Sequence, residues 1–343
     1  MADGLKIRNM EEFAAVCGVS RPTVSKYFHD PSSVRPRTRA RIEAALEEHD
    51  YRPNVFAVNQ NRRSTKNVGI VVPYLADPFF AEMARVIERR VIAAGYWPVL
   101  LSSHGDSAVE AENLDNLRSL RPAGLLLAPM GRASDRAAVA AFCDDVPTVL
   151  VDSDIDGVGQ AFVGSDNFQS VPTIVDYLAR TGSPPCFFEM PPVNPNANKR
   201  RDAYVRAMES LGLAPRVVHV DGAGWDFEEV GRSQGRRIIA EGGFPTDTVL
   251  CSNDRLALGL LTAAFEAGLR VGRGTGNALR IAGHDDHPFS RYTCPPLTTM
   301  AQDIAGIAER AVDTLFRVVE SGGALPVREV VTFDCTLVMR QSA

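Results

Sequence analysis

No run in these 343 residues is apolar for long enough to cross a bilayer, which excludes a membrane-spanning helix. The six cysteines (Cys17, Cys143, Cys186, Cys251, Cys294 and Cys335) form no Cys-x-x-Cys pair, which removes the common zinc-ribbon and dithiol spacings. Several sit in apolar runs and read as reduced core residues. The opening Met-Ala-Asp-Gly-Leu-Lys has no apolar stretch of the secretory kind, so a cytoplasmic location is expected. Gly-x-Ser-x-Gly, a phosphate-cradling glycine loop and His-Glu-x-x-His are all missing, and no enzyme activity is expected. Short-period repeats and low-complexity tracts are missing too. No heptad pattern follows Arg340, which argues against a coiled-coil tetramer.

What is present is uneven in charge. Residues 1–66 hold 12 Lys and Arg against 8 Asp and Glu, while the remainder holds 25 against 34. A basic head on an acidic body suits an anionic partner at one end only. That head contains Asn9 to His29, which reads as two short helices joined by a tight turn. Asn9 caps the first helix, and its inner face would carry Phe13, Val16 and Cys17. Gly18 supplies the turn, Ser20 caps the second helix, and Pro22 lies in the first turn, where no N–H is needed. Val24 faces the core, while Arg21, Ser25 and Lys26 face outward. This is a helix-turn-helix, which seats a short helix in the major groove of duplex DNA. Arg37 to His49 reads as a third helix, with Ile42, Ala45 and Leu46 at helical spacing.

Tyr51-Arg-Pro-Asn54 breaks the helical pattern, and a polar linker with a basic end follows to Lys66. From Asn67 onward, near-continuous apolar runs alternate with amphipathic helical stretches. That alternation predicts α/β units with parallel sheets covered on both faces.

In this order and spacing, the chain resembles the LacI/GalR family of transcriptional regulators over nearly its whole length. The resemblance rests on Ala14-Ala-Val-Cys-Gly-Val-Ser20, Thr23-Val-Ser-Lys26, Tyr51-Arg-Pro-Asn54, Val68-Gly-Ile-Val-Val-Pro73 and Asp77-Pro-Phe-Phe80. Gly124-Leu-Leu-Leu-Ala128, Arg200 ahead of Tyr204, Cys251-Ser-Asn-Asp254, Gly283-His-Asp-Asp286 and Pro295-Pro-Leu-Thr-Thr299 with Gln302 extend it. It implies a three-helix headpiece over 1–50, a hinge over 51–66, and a two-lobed core over 67–343 like a periplasmic sugar-binding protein. The first lobe would take about 67–166 and 300–322, the second about 167–299 and 323–343. It also implies a homodimer on a palindromic operator, switched by a small-molecule effector.

By this resemblance Arg21, Pro22 and Lys26 are base-reading positions. Arg21 and Lys26 suit guanine O6 and N7, whereas Pro22 can offer only apolar contact, as with a thymine methyl. Thr23 and Ser25 suit phosphate oxygens. Arg35 stands where relatives place a capping serine; with Arg37 and Arg39 it adds charge near the duplex. The hinge departs from the pattern. Gln60 stands where relatives carry a leucine wedge, and Phe56 is a nearby apolar alternative.

In a two-lobed α/β core, ligands lie at the carboxyl ends of the strands, in the interlobe cleft. The resemblance places the family's contact positions there, and the effector residues it implies are Phe79, His104, Asp152, Arg200, Trp225, Asn253, Asp285 and Gln302. Phe79 and Trp225 offer aromatic faces for a sugar ring or a base, and Phe80 reads as core. The polar set suits hydroxyls, while Arg200 could instead pair a carboxylate or phosphate. Asp254 reads as a helix cap, and Asp166 and Asn167 as either cap or ligand residues. His284-Asp-Asp-His287 contains metal-ligand types, but the resemblance accounts for Asp285 without a metal; no metal or cofactor is expected. A sugar or sugar derivative is the leading effector class, with a purine or nucleoside second. A solute-binding protein without gene regulation remains a rival.

Overall fold

The computed structural model describes residues 7–49, 51, 65–221, 224–274, 276–323 and 327–343. The expected hinge over 51–66 falls almost wholly outside these residues, and so do Phe56 and Gln60. The chain divides after Thr65 into two compact units.

The first unit is a bundle of α1 (Met10–Cys17), α2 (Arg21–His29) and α3 (Pro36–His49). Phe13, Val24 and Ile42 are fully buried at its centre, and Tyr51 stacks on Phe13 with ring centroids 4.3 Å apart. Asn9 Oδ1 accepts the Glu12 N–H at 2.9 Å, and the Asn9 amide donates to the Glu12 carboxylate, a reciprocal cap. Gly18 ends α1 at φ 60°, and Arg41 Nη2 donates to the Cys17 and Gly18 carbonyls there. A Cβ on Gly18 would lie 2.3 Å from that guanidinium. Two local expectations are corrected. Val16 points to solvent because Met10, Phe13, Ala14 and Cys17 complete the buried stripe. Ser20 sits at the N-cap of α2, but its hydroxyl bonds the Thr23 hydroxyl at 2.8 Å and caps no backbone N–H.

The second unit carries two six-stranded sheets. The first sheet contains β1 (Asn67–Val72), β2 (Trp97–Ser102), β3 (Gly124–Leu127), β4 (Thr148–Val151) and β5 (Ala161–Ser165). Its order is β11-β5-β4-β3-β1-β2, where β11 is Glu329–Phe333, and all its pairings are parallel. The second contains β6 (Cys186–Phe188), β7 (Val217–Val218), β8 (Thr248–Cys251), β9 (Arg280–Asp285), β10 (Thr298–Ala301) and β12 (Thr336–Val338). Its order is β12-β10-β9-β8-β6-β7, with only β12 antiparallel. β1, β3, β4 and β8 are buried almost throughout, as parallel strands between helical layers must be.

The chain passes between the sheets three times: after Ser165, after Ala301 and after Phe333. The expectation that 323–343 belongs to the second lobe is thereby corrected, because β11 pairs with β5 from Glu329–Ala161 to Phe333–Ser165. Its exposure alternates along its length, the signature of an edge strand. The chain returns to the second sheet with β12 and stays there to its last residues, where Ser342 exchanges hydrogen bonds with Ile281 and the Ala343 carbonyl accepts from Thr298, as expected for that stretch.

Candidate functional site

In the helical unit, α2 exposes Arg21, Pro22 and Lys26, while Thr23 and Ser25 are half-buried at its shoulder. The apolar spacing that buries Val24 and Tyr27 forces this polar set outward. Arg21 Nε lies 3.1 Å from Glu11 at the surface, a pair weak enough for the guanidinium to exchange partners. Arg35 and Arg37 are exposed, whereas Arg39 is held by Glu43 at 2.8 Å.

In the second unit, strand ends and crossovers bring one set of side chains together. Asp152 follows β4 at φ 61°, and Asp285 ends β9 at φ 127°; both depart from extended backbone where the strand stops. Asn253 follows β8, Gln302 sits at the second crossover, and α8 (Pro195–Ser210) carries Arg200 and Asn196. From the first lobe, Asp77 caps α4 (Pro78–Ala93) by accepting the Phe79 N–H at 3.0 Å, which places Phe79 and Phe80 in the opening turn. Phe79, Asp152, Arg200, Trp225, Asn253, Asp285 and Gln302 line one cavity, all expected cleft residues. Asp77, Phe80, Met190, Asn194, Asn196 and Phe227 complete its wall. The free space inside is about 30 Å³, room for a couple of waters.

Hydrogen bonds knit this wall. Arg200 donates to Asn167 Oδ1 at 3.0 Å, to the Ser252 carbonyl at 2.8 Å and to Asp285 Oδ1 at 2.9 Å. Gln302 donates to Asp285 at 2.7 Å and accepts from the Ser165 hydroxyl, tying the second crossover to both sheets. Asn196 donates to the Asp152 carboxylate and carbonyl, each at 3.1 Å, and accepts from Asn167. Burial pushes Asp285 up, but Arg200, His284 and Gln302 more than offset this and hold it below its usual range. Asp152 is pushed up to about 7, because burial and the neighbouring Asp285 outweigh Arg200. Burial and then Arg200 drive His284 down to about 4, so it is neutral at pH 7, with Nε2 2.9 Å from the Ser170 hydroxyl.

The structure departs from the sequence reading at several positions. His104 does not reach the cavity. It lies exposed in a left-handed turn at φ 52°, and Gly105 faces inward instead. A Cβ on Gly105 would lie 2.3 Å from the Trp225 ring. Phe80, expected as core, is buried and also lines the cavity. Asn253, not Asp254, caps α10 (Asp254–Glu266), through the Leu256 N–H at 2.8 Å. Asp254 instead accepts from Thr299, Ser290 and the His287 N–H at 2.6, 2.6 and 2.8 Å. Asp166 caps α7 (Asn167–Thr181), while Asn167 joins the Arg200 network. Asn194 and Asn196 were not foreseen. The signal for Asn194 was its cap position before Pro195, where it accepts the Ala197 N–H. Among the described residues no group of three His, Cys, Asp or Glu is placed to hold a metal ion, and no helix is long and apolar enough to cross a membrane.

Comparison with known proteins adds to this geometry. Residues 9–54 match the lacI family of bacterial regulatory proteins, and residues 175–343 match the periplasmic binding protein-like domain. The chain is 28% identical to the ribose operon repressor of Escherichia coli (strain K12), over 89% of this chain and 91% of that protein. It is 29% identical to the HTH-type transcriptional regulator MalR of Streptomyces coelicolor, over 97% and 96% of the two chains. A crystal structure of the lac repressor dimer bound to operator and the anti-inducer ONPF superposes with a TM-score of 0.83 at 25% identity. That match covers 98% of this chain and 99% of the other.

Proposed function

We propose that this chain is a DNA-binding transcriptional regulator of the LacI family, that it represses as a homodimer on a palindromic operator, and that it is switched by a neutral sugar held between its lobes. The observation that carries the effector class is the charge balance of the cleft. Arg200 is neutralised by Asp285 and donates inward from all three of its nitrogens. Among the described residues lining this cavity, no other cation is left over for a carboxylate or phosphate. The remaining groups are amides, carboxyls and the aromatic faces of Phe79 and Trp225, which together suit a hydroxylated ring with an apolar side. The same aromatic faces fit a nucleobase, and this supports a purine nucleoside as the second reading.

A thermal-shift panel of neutral sugars, sugar acids, sugar phosphates and nucleosides tests it, since a ligand that prefers the folded state raises Tm. A rise with neutral sugars is expected; a rise confined to nucleosides would transfer the assignment to the second reading.

On the DNA side, Arg21 and Lys26 read base edges, Pro22 makes apolar contact, and Thr23, Ser25, Arg35 and Arg37 meet phosphates. Lys26→Ala should cost about 1–3 kcal/mol of operator affinity and relax base choice at one position, as read by selection from a randomised operator library. An unchanged operator profile would refute the role given to Lys26.

A further inference from the structure

One buried cation joins the two lobes and has no part in the cleft chemistry described above. Arg255 lies in the first turn of α10, in the second lobe, 6% exposed. Its Nε and Nη2 donate to the Glu228 carboxylate of the same lobe at 2.7 and 2.6 Å. Its Nη1 donates to Asp77 Oδ2 of the first lobe at 3.1 Å. The guanidinium also lies 5.1 Å from the Phe227 ring centre of its own lobe and 5.6 Å from the Tyr74 ring centre of the other. The second oxygen of Asp77 accepts the Phe79 N–H, so both carboxylate oxygens are occupied although Asp77 lines the cavity.

We propose that Arg255 is an interlobe clamp, a positioning residue that holds the cleft closed and sets effector affinity by keeping Asp77 engaged. This rests on reading the cleft as the effector site. When the lobes part, Glu228 and Phe227 travel with Arg255, while Asp77 and Tyr74 leave it. Parting leaves Arg255 its Glu228 partner but takes the cation from the buried Asp77 carboxylate, so the Arg255–Asp77 contact favours closure. The platform is stiff. α9 (Phe227–Ala240) and α10 pack so closely that a Cβ on Gly259 would lie 2.0 Å from the Glu228 carbonyl. A ligand that inserts into the closed cleft must work against this clamp, and one that stabilises closure is helped by it.

The test uses the full chain without ligand. Trp225 stands 6.4 Å from Tyr74 and 6.1 Å from Phe80, both in the opposite lobe, so its emission reports closure. A Trp97→Phe background silences the other tryptophan, which is exposed. Arg255→Met and Asp77→Asn should each red-shift Trp225 emission and increase the radius of gyration in solution X-ray scattering. The double variant should go little beyond either single one, and Arg255→Lys should fall between parent and Met. Should Arg255→Met fail to fold, Asp77→Asn and Arg255→Lys carry the same test. Parental emission and scattering in these variants would overturn the clamp, as would purely additive effects. Because this measurement needs no effector, a sugar panel that gives no thermal shift would sink the effector reading and leave the clamp standing.

Discussion

Asp152 and Asp285 are two carboxyls of one cleft driven in opposite directions. Both are buried near Arg200, but Asp285 receives the guanidinium directly at 2.9 Å, while Asp152 is met by the neutral amide of Asn196. A direct ionic hydrogen bond outweighs desolvation; an amide donor does not. The raised value of Asp152, from 3.8 to about 7, fixes the sign of its linkage. Between those values the folded chain holds a proton that the unfolded chain has released, so this carboxyl's contribution to stability falls as pH rises. His284 works the other way below pH 6.5, since the unfolded chain protonates it and the folded chain does not. Asp152→Asn should therefore lose less stability at pH 8 than at pH 5 relative to the parent, measured by urea unfolding at both. A larger loss at pH 8 would mean that the fold relies on the ionised carboxylate.

Among the elements, the α9–α10 contact has the least slack. Gly231 and Gly259 let the two backbones touch: a Cβ on Gly231 would lie 2.2 Å from the Leu256 carbonyl, and one on Gly259 2.6 Å from the Arg232 nitrogen. Neither obstacle is a side chain that can swing away. Gly259→Ala should cost about 1–3 kcal/mol, toward the upper end, read as a lower urea midpoint with unchanged slope. It should also loosen the clamp, because Glu228 and Arg255 sit on the two helices being forced apart. A variant with parental stability would show that the helices separate at no cost. By contrast, the edge strand β11 exposes alternate residues and Val330 is 60% exposed, so substitutions at that outward position should be nearly silent.

For the whole molecule, the division after Thr65 coincides with the change of charge sign along the chain. The basic unit meets a polyanion, while the acidic unit is repelled from it, so non-specific DNA affinity belongs to the headpiece and falls steeply with salt. The proposed switch links effector and operator through one equilibrium. Whatever factor the sugar changes operator affinity by, the operator must change sugar affinity by the same factor. Calorimetric titration of a sugar from the panel into free and operator-bound protein should give Kd values that differ by the factor seen in gel shift. Equal Kd values in the two titrations would rule out a two-site switch.

The linear order of residues by itself determined the helix-turn-helix and the alternation of buried strands with amphipathic helices, and the family resemblance implied eight cleft positions, of which seven line the cavity. Those features are local or periodic: Gly18 between two capped helices, Asp77-Pro-Phe-Phe80 at a helix start, and four-residue apolar strands such as Thr248–Cys251. Only the tertiary structure decided the rest. His104 and Gly105 are neighbours, and the direction of one left-handed turn chooses which of them meets Trp225. β11 alternates in exposure and could pair on either edge, so the second crossover, after Ala301, and not the pattern, assigned it to the first sheet. Arg255 and Asp77 are 178 residues apart, each unremarkable as a charged residue beside a helix start. Their pairing exists because two sheets present their carboxyl ends to one cleft, and burial, which no local pattern encodes, turns an ordinary ion pair into a mechanical contact.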